Sequence, residues 1–597
     1  MKLSALYANK ADIFPPIKFH EGFNVVFARV KNPKIKEKDS HNLGKTFLIT
    51  VIDFCLLAEA DKHHPFKIHS EVFKDFVFYL EIKTHSGHYV TVRRLVEGRN
   101  PVSIHVSHSP NTDLTRLFEP SWTYADLPLT KAIKQLNDLL DLSAIAPYNY
   151  RKGLGYILRR QTDYDELFRI SKFSRSADKD WKPFLAQIIG FNHAIIDRKY
   201  ELDETVDKLK LRQQTIEEEA GSTSEEYDEV KGLLEIRSST LEGLRTELDQ
   251  FSFRGVEAVI NEDLVSNIES NIANLNRRRY TIDYELTEIA KSLETGFEFD
   301  LNRVQQVFAE AQLELPQALV HSYKEVIELN RRMSDGRKER LHKLRDKLER
   351  ERAEIENLIT DLDSERTAAL AILEEKQTLE KYRKIQRRFS QQEAQVIVLQ
   401  QRLADLDRAA NIQKDIDTQR QKVNDAIQEI RESVRHDNST YTAIRTTFSR
   451  CVERVLNVQA LLSVSVNQEG NLDFNVRTLD PEMSGRETSE GAGASYKKIL
   501  CACFDIAVVG VYASKPFYHF LYHDGIFEGL DNRKKVNLLN LIRDITINQK
   551  IQYILTVIDS DLPRDERDMK LLFTQEEIVR ELHDEGDSGR LFKMPPF

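Results

Sequence analysis

Between Pro183 and Pro481 the chain holds one proline, Pro316, and from Arg337 to Glu469 it holds neither proline nor glycine. These residues cost about 3 and about 1 kcal/mol in a helix interior, so a span free of both permits an unusually long helix. Apolar residues recur there at heptad spacing: Leu341, Leu344, Leu348, Ile355, Leu358 and Leu362. Upstream, Leu202, Val206, Leu209 and Ile216, then Leu234, Leu241, Leu244 and Leu248, do the same. Such a repeat puts one apolar seam on each helix, and a seam needs a partner helix. The pattern predicts an outward limb near 196–293 and a return limb near 323–434, each about 150 Å long at 1.5 Å per residue. They would pair antiparallel across a turn near Gly296–Pro316. Ala220-Gly221-Ser222-Thr223 and Phe251-Ser252-Phe253-Arg254-Gly255 read as elbows in the outward limb, with Thr223 and Glu226 spaced to cap a restart.

The flanks alternate strand and helix patterns, as an α/β domain built from both chain ends would. The expected divisions are a first half-head over 1–190, an outward limb over 191–296 with breaks near 221 and 255, and a turn over 297–322. A return limb over 323–436 and a second half-head over 437–597 complete them. A net charge of −10 argues against a general nucleic-acid coat. The four cysteines are too scattered for a disulfide framework, no apolar run reaches membrane-spanning length, and Met1 runs into a strand without a leader, so a soluble cytoplasmic chain is expected. With no Cys-x-x-Cys near the turn, no zinc hook is expected. Arg277-Arg278-Arg279 and Lys31–Lys38 are basic runs of a kind that can contact nucleic acid, the arginines being read in preference as solvated helix surface.

Two short motifs at opposite ends carry chemistry. A phosphate-binding loop needs backbone N–H groups around phosphate oxygens, a lysine for charge and a hydroxyl for Mg²⁺. After the strand pattern Asn24–Ala28, the run Asp39-Ser40-His41-Asn42-Leu43-Gly44-Lys45-Thr46-Phe47 offers Gly44, Lys45 and Thr46 at the last three positions. Asp39 stands where the first glycine belongs. Near the other end, Phe520-Leu521-Tyr522-His523-Asp524 is an apolar strand ending in an aspartate suited to Mg²⁺, and Asp531 follows at D-loop spacing. Gly525 occupies the place of the usual catalytic glutamate, which leaves Glu528 as a substitute base and predicts slow hydrolysis. Ser489-Glu490-Gly491-Ala492-Gly493-Ala494-Ser495 precedes an apolar helix and suits a loop facing a γ-phosphate, with Ser489, Gly491 and Gly493 as its contacts. Gln161 lies where a glutamine would reach Mg²⁺. Ile558-Asp559-Ser560 lacks a switch histidine.

With these residues in place the chain resembles the SMC/SbcC/RecN group of ABC-type ATPases over its whole length. Within that group it is similar to the SMC-like subunits of ABC-three-component and Lamassu-type antiphage systems. The residues behind the narrower likeness are 39–46, 523–531 and Gly589-Arg590-Leu591-Phe592-Lys593-Met594-Pro595-Pro596-Phe597. The resemblance implies an α/β ABC-type ATPase head assembled from N- and C-terminal halves, with a long antiparallel coiled-coil arm. It implies ATP and Mg²⁺ as cofactors, a homodimer through the heads, double-stranded DNA as a partner, and an accessory subunit with a nuclease-type effector. A repair or chromosome-processing ATPase, and a structural tether with a degenerate head, are the rival readings.

Overall fold

The computed structural model describes residues 1–29, 31, 43–97, 101–110, 113–115, 122–170, 173, 176–220, 226–249, 262–294, 317–370, 376–479, 493–562 and 573–596. Two compact units emerge: residues 1–203 with 422–597, and residues 204–421. The first is an α/β head made from both chain ends, and the second a helical arm.

The head has two main sheets. Strands β1 (Lys2–Ala8), β2 (Ile17–Lys18), β4 (Val77–Lys83), β5 (Tyr89–Leu95), β6 (Val102–Ser107) and β7 (Tyr124–Leu127) form an antiparallel sheet in the order β2-β1-β4-β5-β6-β7. A second, all-parallel sheet runs β13-β3-β12-β11-β8. Its members are β3 (Phe23–Arg29), β8 (Leu158–Arg159), β11 (Phe520–Asp524), β12 (Gln552–Ile558) and β13 (Ile578–His583). A separate hairpin joins β9 (Gln459–Val466) to β10 (Leu472–Leu479). Parallel strands covered on both faces read as continuous apolar runs. So it is here: Val25–Ala28, Phe520–Tyr522 and Tyr553–Leu555 are all buried.

Helix α1 (Lys45–Cys55) packs beneath the antiparallel sheet, followed by the short α2 (Pro65–Ile68) and α3 (Ser70–Phe73), then α4 (Leu129–Leu140), α5 (Tyr150–Ile157) and α6 (Lys182–Ile188). The long helices are α7 (His193–Ala220), α8 (Tyr227–Asp249), α9 (Glu262–Glu294), α10 (Gln317–Leu370) and α11 (Lys376–Arg435). The C-terminal half adds α12 (Ser439–Leu456), α13 (Ala494–Val511) and α14 (Asn532–Asn548).

In the arm, α9 and α10 form an antiparallel coiled coil. Ile282, Ile289, Leu348 and Ile355 bury their side chains in its seam, and Arg278 and Asp283 reach Glu351 and Arg352 across it. The expected heptad is half right. Leu341, Leu348 and Ile355 face the seam, whereas Leu344 and Leu358 are 45% and 51% exposed, because the partner covers one narrow face.

The expected single out-and-back pass needs correction. Tyr227 and Val230 of α8 meet Asp407 and Leu406 of α11 while Arg237 meets Gln392, so those helices run antiparallel. On α9, Glu269 sits by Gln386 and Arg277 by Glu393, the numbers rising together, so α9 runs parallel to α11. The arm therefore doubles back, reversing between α8 and α9 and again between α10 and α11. A heptad seam says that a helix has a partner and not which one. Residues 317–322, expected in a turn, already belong to α10. The elbow at 221–223 and the joint at 251–255 lie outside the described residues.

Candidate nucleotide site

Ligands of open parallel sheets gather beyond the carboxyl ends of the strands. Here four parallel strands end on one edge: β3 leads toward α1, β8 toward Gln161, β11 ends at Asp524, and β12 leads to Asp559–Asp561. Residues from both chain ends are thereby brought to one place.

The phosphate-loop end is fixed by Gly44. It caps α1 with φ +88°, in the left-handed region that side chains with a Cβ disfavour, and its carbonyl accepts from Phe47 and Leu48 at 3.1 and 3.2 Å. A Cβ at Gly44 would meet Leu591 Cβ at 2.9 Å, and the Leu591 N–H donates to the Leu43 carbonyl at 3.0 Å. The C-terminal segment thus lies against the loop. Phe592 beside it packs in an aromatic cluster with Phe14, Phe47, Phe73, Phe76 and Phe78. Phe47, expected to contact nucleotide, has its ring in that cluster. At the other end of α1, the fully buried Arg94 donates to the Phe54 and Ala58 carbonyls at 2.6 Å, satisfying helix-end acceptors.

Asp524 is 4% exposed. Its Oδ1 accepts from Thr556, its register partner on β12. Its Oδ2 is buried without a hydrogen-bond partner among the described residues. Burial pushes its carboxyl above the ordinary range, while Thr556, Thr46 and Lys45 favour the charged form. A buried carboxylate oxygen lacking a donor, with a threonine hydroxyl and a lysine beside it, suits a divalent cation and a phosphate. Thr46, Asp524 and Lys45 fit Mg²⁺ and nucleotide phosphates on that ground.

Beside Asp524, Gln161 Nε2 donates to Glu528, and Lys498 Nζ donates to Glu528 at 3.2 Å and to the Gly525 carbonyl at 3.0 Å. Gln161 is therefore bonded to the substitute base, a contact absent from its expected role at Mg²⁺. Gly525 has φ +68°, and a Cβ there would lie 3.2 Å from Gln161 Cγ and 3.3 Å from Glu528 Oε1. The turn's left-handed backbone accounts for glycine in the place of the usual glutamate. Asp531 caps α14, accepting from the Lys534 N–H at 3.0 Å, and this bond holds its carboxyl below the ordinary range.

Gly493 is exposed and caps α13. The first turn of α13 meets the segment after Asp524: Ser495 Oγ donates to the Gly529 carbonyl at 3.0 Å, and Tyr496 accepts from Lys534 at 3.1 Å. Asn42, Ser489 and Gly491, like Asp39, lie outside the described residues.

Three features escaped the sequence. Lys498 holds Glu528. Asp561, after β12, lies close enough to Glu528, Lys45 and Lys498 for their charges to act on it, and burial first and Glu528 next raise its pKa. The third is a fully buried network. Arg159 donates to both Asp505 oxygens at 2.5 and 2.9 Å, and to the Asp163 and Leu167 carbonyls at 2.8 and 3.1 Å. His523, next to Asp524, bonds Asp505 at 3.1 Å and Tyr553 through its other nitrogen. Asp505 on α13 so ties together the strand before Gln161 and the strand carrying Asp524. A lone arginine and a lone aspartate in apolar segments carry no pairing signal.

The four cysteines are buried and unbridged. No grouping of three or more His, Cys, Asp or Glu suited to a metal occurs among the described residues, and no described helix is long and apolar enough to cross a membrane.

Residues 451–596 match a family described as "Uncharacterised protein conserved in bacteria (DUF2326)". No curated protein matches the chain. Solved structures similar to it include the Smc head domain with a coiled coil and joint from Pyrococcus yayanosii, at 16% identity, 93% coverage of this chain, 92% of that one and a TM-score of 0.35. The Smc head with an extended coiled coil bound to the C-terminal domain of ScpA, from Pyrococcus furiosus, gives 13%, 94%, 90% and 0.34. The recombination mediator protein RecF-ATPrS of the RecFOR pathway gives 10%, 94%, 94% and 0.27.

Proposed function

We propose that this chain is an ATP-binding, DNA-sensing SMC-like subunit of a multi-subunit antiphage complex, in which ATP-dependent pairing of two heads controls a nuclease-type effector. The observation that carries the nucleotide part is the buried, donorless Oδ2 of Asp524 beside Thr46 and Lys45, groups contributed from opposite ends of the chain. Bound ATP and Mg²⁺ would supply the phosphoanhydride and its charge neutralisation. Lys45 would balance phosphate charge, while Thr46 and Asp524 would hold the cation. Gly493 would lie at the interface with a second head.

Glu528 is the group for accepting a proton from water, and Lys498 with Gln161 holds its carboxylate. A carboxylate already held by two donors must give up one of those hydrogen bonds to take a proton from water, which supports slow turnover and a chain that retains ATP. The antiphage setting, the accessory subunit and the effector rest on the resemblance of residues 39–46, 523–531 and 589–597.

The test has two levels. Mg²⁺-ATP should raise the melting temperature of wild type and not of Lys45→Ala, as ligand linkage requires; equal shifts would remove the nucleotide reading. Phage plating on a host carrying the whole operon should then show protection lost with Lys45→Ala. Full protection by that variant would remove the antiphage role for this site.

A further inference from the structure

The chain is acidic overall, yet from Lys381 to Gln392 it holds five basic residues and no acidic one. This stretch opens α11 in the arm. One of the five, Arg383, is turned inward, donating to Thr367 Oγ1 at 2.8 Å. Lys381, Lys384, Arg387 and Arg388 are exposed.

Elsewhere in the arm the basic side chains are largely occupied. Arg277 pairs with Glu393, Arg278 with Glu351, Arg352 with Asp283, Arg366 with Glu269, Arg402 with Glu226, and Arg408 with Asp405. The triple-arginine run that stands out in the sequence is thus partly committed to holding helices together. The four residues on α11 have no acidic partner among the described residues, and Glu380, one turn before Lys384, pairs with none of them.

At 3.6 residues per turn, Lys381, Lys384 and Arg388 fall within about 60° of one another over a rise of about 10 Å, with Arg387 flanking them. No exposed large apolar side chain lies in the stretch, Ile385 and Phe389 being partly covered. A protein partner needs apolar or aromatic anchors at the centre of its interface. A duplex, with one phosphate charge per about 1.7 Å of axis, needs only solvated cations at helical spacing.

We propose that Lys381, Lys384, Arg387 and Arg388 form a sequence-independent contact surface for the phosphate backbone of double-stranded DNA, set in the arm. This rests on the DNA-engaging part of the function proposed above and does not require nucleotide.

The experiment measures binding of the full chain to a 30-base-pair duplex, without ATP, across about 50 to 200 mM salt. The variant is Lys381→Gln/Lys384→Gln/Arg387→Gln/Arg388→Gln. The control removes equal charge from arm bases that already have acidic partners, as Lys208→Gln/Lys210→Gln/Arg408→Gln/Arg420→Gln. Circular dichroism and melting verify that both remain helical.

Four phosphate contacts at about 0.9 each in log–log salt slope predict that wild type loses on the order of 100-fold more affinity over this range than the variant. The control should follow wild type. Equal slopes for wild type and variant, with wild type binding DNA, would overturn this surface and leave the DNA-engaging reading standing. A variant and control weakened alike would reduce it to general charge. If wild type binds no duplex at any salt without ATP, this surface falls, and if Mg²⁺-ATP brings no binding either, the DNA-engaging reading falls with it.

Discussion

Arg159 and Asp505 are separated by 346 positions, and both side chains are 0% exposed. No solvent screening discounts their interaction, so surface-pair values near zero do not apply. Removing one partner strands a buried charge, at about 3–5 kcal/mol. For a head unit of roughly 380 residues, an unfolding entropy of about 2.1 cal/mol/K per residue converts this to a fall in melting temperature of about 4–6 °C. Arg159→Met and Asp505→Asn should each show that fall by scanning calorimetry. The double variant Arg159→Met/Asp505→Asn removes both charges and should recover most of it, giving a coupling energy of at least about 2 kcal/mol. Arg159→Met has a further signature, because Arg159 also disfavours the charged form of His523, whose pKa is lowered chiefly by burial. Without Arg159, Asp505 draws that pKa upward. A buried histidine lowered less far costs less stability as pH falls through the histidine range, so the penalty of this variant should shrink in acid. Single variants within about 1 kcal/mol of wild type, or a double variant as damaged as the two singles combined, would refute the argument.

Asp524→Asn removes a buried charge while keeping an acceptor for Thr556. Ligand-free stability should hold or rise, and the Mg²⁺-ATP shift, about 2.7 kcal/mol at a hundredfold excess over Kd, should vanish on a thermal-shift assay. Gly525→Glu restores the usual acidic residue in name only. At φ +68° it should cost about 1–2 kcal/mol and leave ATP turnover no higher than wild type, and a clear gain in turnover would show that the turn can rearrange. Burial lowers His64 and His519 from 6.5 to about 4. The unfolded chain takes up those protons near 6.5 and the native chain refuses them until about 4, so stability should fall as pH drops through that window. The raised carboxyls of Asp524 and Asp561 act in the opposite sense from 3.8 upward. Urea midpoints at pH 7.5 and 5.0 measure the balance, and His64→Gln/His519→Gln should narrow the difference.

The residue sequence by itself determined the two-part plan. Scarcity of proline and glycine with a heptad repeat demands long paired helices. Strand and helix patterns alternating at the chain ends demand an α/β domain, so the α/β head with an antiparallel coiled-coil arm is legible without coordinates. Gly44 and Asp524 are legible too, because a loop before a helix and a strand ending in aspartate are local patterns. Tertiary structure alone decided which faces meet. Heptads do not name partners, and the arm's reversal beside α11, with Leu344 and Leu358 left outside the seam, follows from packing among four helices. Charge pairs such as Arg159 with Asp505, or Lys498 with Glu528, join residues whose types carry no mark of one another. For Arg159 with Asp505 the energy arises because the fold excludes water around both.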